Sequence, residues 1–163
     1  MSTRTHPSPA LFLDFDGVTH PEPCFQEDVF CRLHLIEDVL LEFPAVDVVI
    51  SSSWRDHYAL AYLRVFFCEA LRPRVVAVTR SITIPSSDWL PGHGAQFERQ
   101  WEIETWMKSH RPWGTPWLAI DDRAHWFMPD CHNLLLMDSL VEFSAEHQAP
   151  LRAMLQVRLE LTP

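Results

Sequence analysis

Five short apolar runs separated by helix-length intervals limit this chain to a narrow set of folds. They fall at about 10–15, Val46–Ile50, Val75–Val78, Trp117–Ile120 and Leu134–Met137. Unbroken rather than alternating, they have the character of strands buried on both faces of a parallel sheet. Glu27–Phe43 carries Val29, Leu33, Ile36, Leu40 and Phe43 at spacings of three and four, which predicts a helix closed by Pro44. Further helices are expected over about Asp56–Leu71 with Ser53 as a candidate N-cap, over Ala95–Ser109, and over about 140–160 with an interruption near Pro150. Residues 80–94 hold Pro85, Pro91, Gly92 and Gly94 and read as a loop or small excursion. Strands alternating with helices mean an α/β domain with a mainly parallel five-stranded sheet. A length of 163 residues with 47% hydrophobic content suits one domain over 1–163.

Polar residues stand where several of these runs end. The first run leads into Asp14-Phe15-Asp16-Gly17, the second into Ser51-Ser52-Ser53-Trp54-Arg55, and the fourth into Asp121-Asp122-Arg123. In a parallel sheet the carboxyl ends of the strands share one edge, where ligands bind, so residues distant in sequence converge there. Asp14 and Asp16 are two apart in an extended segment and can face one site. Like charges that close are costly unless a cation or a shared proton relieves them. Gly17 permits the sharp turn that follows. Mg²⁺ prefers a few carboxylates plus water and phosphate oxygens, so Asp14, Asp16, Asp121 and Asp122 form a candidate Mg²⁺ site.

The three segments together resemble the motifs of the haloacid dehalogenase (HAD) superfamily of phosphatases. Asp14-Phe15-Asp16-Gly17 is similar to the first motif, Val48-Val49-Ile50-Ser51 to the second, and Ala119-Ile120-Asp121-Asp122 to the fourth. The runs around Ser51–Arg55 and Asp121–Arg123 look like small cap-less HAD domains, including those of RNA-repair proteins. The resemblance implies a three-layer, Rossmann-like α/β/α sandwich with strand order 5-4-1-2-3. It implies Asp14 as nucleophile forming an aspartyl-phosphate, and Asp16 as general acid and then base, also lending its backbone carbonyl to Mg²⁺. Ser51 would hydrogen-bond a phosphoryl oxygen, with Gly17, Ser52 and Arg55 as further candidates around the substrate. Asp121 and Asp122 would hold Mg²⁺ directly or through water. The interval between Asp16 and Ala45 is short and largely helical, leaving no room for a large cap.

The superfamily's third motif is a basic residue, commonly lysine, and here the chain departs from it. Its one lysine, Lys108, lies near the far end of the Ala95–Ser109 helix, roughly 13 Å along the axis from Arg99. Arg99, near the end that must face the active edge, is the better candidate, and its fork can grip phosphate oxygens. Arg55 and Arg123 are open to two roles, phosphate ligand or salt bridge to the carboxylates. Asp138 is expected to end a strand; His20, just beyond the first motif, could touch substrate but is expected to be an exposed loop residue. His57, His93, His125 and His132 show no ligand spacing.

A net charge of −9 argues against an extended nucleic-acid-binding surface, though not against a small phosphorylated substrate, a nucleotide included. No apolar run reaches membrane-spanning length and no signal-peptide core is visible, so a cytoplasmic protein is expected. Cys24, Cys31, Cys68 and Cys131 are expected as reduced, mostly buried thiols, with no standard zinc spacing. Trp101 and Trp106 are expected in the core, whereas Trp89 beside His93 could stack on a nucleobase. The leading expectation is a Mg²⁺-dependent phosphomonoesterase. A regulatory binding module and a phosphotransferase using the same residues are the alternatives. The sequence does not specify an oligomeric state.

Overall fold

A computed structural model describes residues 7–82, 97–138 and 140–160. Five parallel strands, β1 (Ala10–Leu13), β2 (Asp47–Ile50), β3 (Val75–Val78), β4 (Trp117–Asp121) and β5 (Leu134–Leu136), form one sheet in the order β3-β2-β1-β4-β5. That is the expected 5-4-1-2-3 arrangement. From β1 the chain steps to β2 and β3 on one side and then crosses to β4 and β5 on the other, so the switch point lies between β1 and β4, the place where ligands bind in open α/β sheets.

The period-two alternation of each strand divides the core into two layers. Leu11, Leu13, Val48, Ile50, Leu118 and Ile120 pack on one face with Leu33, Ile36, Val39 and Leu40 of α1 (Leu33–Glu42) and Leu151 and Leu155 of α4 (Ala145–Glu160). Ala10, Phe12, Val49 and Ala119 meet Ile103, Trp106 and Met107 of α3 (Glu98–His110) on the other face. Phe12 sits edge-on to Trp106 at 5.5 Å, the geometry that aromatic quadrupoles favour. Both faces of β1 are thereby sealed, which is why its apolar run is unbroken. A three-layer α/β/α sandwich results.

Several local expectations change. The Glu27–Phe43 helix is shorter: only Leu33–Glu42 is α-helical, preceded by a 3-10 turn at Gln26–Asp28. The cause is Phe30, whose φ of 62° is left-handed and cannot continue a right-handed helix. The Asp56–Leu71 helix is broken into a 3-10 turn at Ser53–Asp56, a single turn of α2 (Leu60–Leu63) and another 3-10 turn at Arg64–Phe66. Ala59 and Phe67 adopt extended conformations that end each piece. Ser53 does not act as an N-cap; Ser52 holds that position, without a side-chain capping bond. The last helix runs uninterrupted through Pro150, and β1 stops at Leu13 rather than at residue 15.

Trp106 is buried as expected, but Trp101 is largely exposed on the outer side of α3. The four cysteines are free, yet none is fully buried and Cys31 is exposed. Trp89, His93 and most of the 80–94 segment lie outside the described residues. Among the described residues, no helix is long and apolar enough to cross a membrane.

Candidate active site

The carboxyl edge of the sheet collects three of the acidic residues singled out above. Asp14 follows β1, tied in by a hydrogen bond from its own N–H to the Ile120 carbonyl at 3.1 Å. Asp121 ends β4 and Asp122 follows it. Carboxylate oxygens of Asp14, Asp121 and Asp122 all lie within 4.8 Å of one another. Gly17 lets this happen: it adopts φ +73°, and a Cβ there would stand 2.4 Å from Asp122 Oδ2.

Burial of three acids this close shifts their protonation. Desolvation and the Asp14 charge push Asp121 up to about 8, against the opposing pull of Arg99. Burial raises Asp14 to about 6, while Arg99 and the Phe15 N–H, 2.8 Å from Oδ1, act to lower it. Asp122 is raised by burial, with Arg123 opposing. Among the described residues neither Asp122 oxygen accepts a hydrogen bond, although Oδ1 lies 3.5 Å from Arg123 Nε. Buried acceptors left open in this way are expensive. An oxygen-seeking divalent cation relieves both the charge and the open lone pairs, so the residues present fit Mg²⁺.

A pH prediction follows for the metal-free protein. Both Asp14 and Asp121 bind a proton more tightly folded than unfolded, so their contribution is full below about pH 4 and is lost as pH rises through about 6 and about 8. Relative to Asp121→Asn, wild type should lose on the order of 3 kcal/mol, or roughly 6–12 °C of melting temperature, between pH 5 and pH 9. Calorimetry in a chelator checks this. A pH-independent difference between the two proteins would show that Asp121 is not held against its charge.

Cations border the cluster on one side. Arg99, in the first turn of α3, is buried, with Nη1 3.7 Å from Asp14 Oδ1 and Nε 3.7 Å from Asp121 Oδ2. It donates to Ser51 Oγ at 3.3 Å, and its guanidinium lies 4.9 Å from the centre of the Trp126 ring. Ser51, just past β2, is buried and also accepts from Thr79 at 3.5 Å. Ser52 Oγ is buried and makes no hydrogen bond, although the hydroxyl is near enough to Asp14 to help hold its charge. Arg55 is committed within the protein, to Glu102 at 2.7 Å, Thr79 at 2.9 Å and Ser81 at 3.1 Å. Arg55 thus bridges to Glu102 rather than to the cluster, and Arg123 pairs with Glu22 at 2.7 Å while its Nε lies 3.5 Å from Asp122. Asp138 accepts the Leu140 N–H in a turn after β5. Lys108 lies in the last turn of α3, away from the cluster.

The Asp16 side chain is not one of the three that converge. Its Oδ1 accepts from His20 Nε2 and from Trp54 Nε1, both at 3.0 Å, while Ser53 Oγ lies 3.4 Å from Oδ2. Burial alone would raise Asp16; these hydrogen bonds outweigh it and hold the carboxyl below its ordinary value. The expectation of an exposed His20 is overturned, since the ring is buried between Phe30 and Trp54. Glu102 and Trp126 escaped the sequence reading. Glu102 stands at i+3 from Arg99 on a helix, a spacing that brings side chains together and could have disclosed it; nothing in the sequence points to Trp126.

The family model for the HAD domain in Swiss Army Knife RNA repair proteins matches residues 10–147. The chain belongs to this HAD family. No curated protein and no solved structure shows a significant match. The match runs from the first residue of β1 into α4, so it includes every side chain of this site.

Proposed function

We propose that this HAD domain is a Mg²⁺-dependent phosphomonoester hydrolase working through an aspartyl-phosphate on Asp14. The observation that carries the reading is the buried Asp14–Asp121–Asp122 cluster, with Asp122 lacking hydrogen bonds and with Ser51 and Arg99 at its side. Mg²⁺ held by Asp14, Asp121 and Asp122 would supply the positive charge that draws a phosphate dianion toward three acids. Asp16 contributes its backbone carbonyl in this reading, and its carboxyl handles protons.

The Asp14 carboxylate attacks phosphorus, splitting the transfer into two displacements. Asp16 gives a proton to the leaving oxygen and recovers one from the water that releases phosphate. Ser51, the neighbouring Ser52 hydroxyl and the Arg99 guanidinium stabilise the phosphoryl oxygens. Nucleotides and nucleic-acid ends are the favoured esters, because the matched family is that of RNA repair proteins. The net charge of −9 favours a small or terminal phosphate over an extended polymer.

Phosphate release should be measured from p-nitrophenyl phosphate and a nucleotide panel, with Mg²⁺ and after chelation. Turnover is expected to fall to background in chelator and to return with Mg²⁺. Saturating Mg²⁺ should also stabilise the fold, by about 2.7 kcal/mol at a hundredfold excess over Kd. Folded protein that binds Mg²⁺ but hydrolyses nothing across the panel would favour the binding-module alternative.

A further inference from the structure

A carboxyl that gives and takes a proton must present one defined oxygen to the reacting atom, yet a lone aspartate at an open edge can rotate freely. The Asp16 side chain is 29% exposed, so packing alone does not hold it. What fixes it is a pair of N–H donors on a single oxygen. His20 Nε2 and Trp54 Nε1 both reach Oδ1 at 3.0 Å, and among the described residues Oδ2 has the Ser53 hydroxyl alone, at 3.4 Å. With Oδ1 doubly occupied, the transferable proton belongs on Oδ2.

The donors are themselves held in place. Phe30 N–H points at His20 Nδ1 at 3.4 Å, and the Thr19 hydroxyl lies 3.0 Å from the same nitrogen. The ionised Asp16 carboxylate can only accept, so His20 presents a hydrogen on Nε2, the atom that faces it, while Nδ1 sits between the Phe30 N–H and the Thr19 hydroxyl, which also reaches the Phe15 carbonyl at 3.0 Å. Phe30 supplies that N–H from a left-handed conformation, φ 62°, which a bulky residue adopts only under constraint. Its ring packs edge-on against Phe15 at 4.8 Å and His20 at 5.4 Å. Trp54 is gripped in turn by Phe15 at 6.0 Å and Phe30 at 5.1 Å. The same Phe30 geometry that truncates the first helix thus builds the cage around His20.

We propose that His20 and Trp54 are positioning residues that lock Asp16 with Oδ2 toward the leaving oxygen of the substrate. The inference rests on the phosphomonoesterase reading above. As the bond from phosphorus to the leaving oxygen breaks and the bond to Asp14 forms, the Oδ2 proton passes to the leaving oxygen. In the second step water loses a proton to Oδ2 while its oxygen bonds phosphorus. The bond to Asp14 then breaks, freeing phosphate and restoring both carboxyls.

The test compares two esters of nearly the same shape. Phenol is a far weaker acid than p-nitrophenol, so phenyl phosphate needs the proton from Asp16 and p-nitrophenyl phosphate needs it much less. Trp54→Phe keeps an aromatic ring but removes the N–H; His20→Leu removes the other donor, and His20→Gln retains one. For Trp54→Phe and His20→Leu, the loss of kcat on phenyl phosphate should exceed the loss on p-nitrophenyl phosphate by roughly tenfold or more, with KM changing little. His20→Gln should recover most of that excess. In an Asp16→Asn background the excess should vanish, because both residues act through Asp16. If His20→Leu fails to fold, Trp54→Phe carries the comparison alone. An equal loss on both esters, or an excess that persists in Asp16→Asn, overturns the proposal while leaving the phosphomonoesterase reading intact. Wild type that hydrolyses neither aryl ester nor any nucleotide of the panel overturns both.

Discussion

Asp14→Asn is expected to lower phosphate release by roughly 10⁴-fold or more and, in the absence of metal, to leave the fold at least as stable as wild type. The two effects have one origin. Asn keeps the shape of the side chain and can still accept the Phe15 N–H at 2.8 Å, so local geometry survives. In the proposed mechanism it cannot attack phosphorus, because the attacking group there is the charged oxygen. That charge is costly where it sits: desolvation raises Asp14 to about 6, the Asp122 charge adds to the rise, and the Asp14 charge in turn raises Asp121. Removing it relieves the repulsion, and Arg99 remains paired with Asp121 and Glu102. A site that is destabilised for the sake of function gives this opposition of activity and stability. Initial rates with Mg²⁺ and melting curves in chelator together make the check. Turnover within tenfold of wild type would remove Asp14 from the reaction. A large loss of both activity and stability would mean that Asp14 serves the fold.

Much of this arrangement is visible in the sequence because sheet topology does the work of bringing residues together. The unbroken apolar runs give five strands, and parallel order then places Asp14, Ser51 and Asp121 on one edge without any knowledge of side-chain packing. Arg99 is reached by the same logic, since a helix that returns between parallel strands must bring its N-terminus back to the edge where the strands end elsewhere, leaving Lys108 at the other end. What the sequence conceals depends on single backbone conformations and on partners at long range. Phe30 gives no local sign of a left-handed φ, so the apolar spacing of Val29 and Leu33 suggests a helix continuing through it. The aromatic residues between Trp54 and Phe67 have helical spacing in part, yet they pack among themselves as separate short turns. Tertiary packing overrides a weak local preference there. His20 looks like a loop histidine because its burial comes from Phe30 and Trp54, neither adjacent to it in sequence. Glu102 reads as one more acid on a polar helix until the sheet places Arg55 beside it.

Arg99→Met should cost about 3 kcal/mol or more in metal-free stability at neutral pH and, with Mg²⁺ present, reduce turnover by roughly 10³-fold. Methionine approximates the apolar stem of arginine, so the substitution removes charge and hydrogen bonding more than volume. Among the described residues, Arg99 is the cation paired with both Asp14 and Asp121, and it also stands 3.9 Å from Glu102. Without it, three buried carboxylates lose a partner at once. Arg55 then holds Glu102 alone, and of the three clustered acids Arg123 pairs with Asp122. The sign with pH is fixed by the raised acids. Below about pH 6 Asp14 and Asp121 carry protons and need no partner, so the stability cost should shrink; above about pH 8 it should be greatest. Bound Mg²⁺ supplies replacement charge, so its stabilising effect should be larger in Arg99→Met than in wild type. Its effect on turnover should not be rescued in the same way, because Ser51 and the phosphoryl group lose a donor that a cation held by the carboxylates does not replace. Arg99→Lys restores charge without the fork and should recover stability more fully than rate. Denaturation at pH 5.5 and pH 8.5, with and without Mg²⁺, separates the two roles. Turnover unchanged in Arg99→Met would mean that the basic group of this site is not on α3.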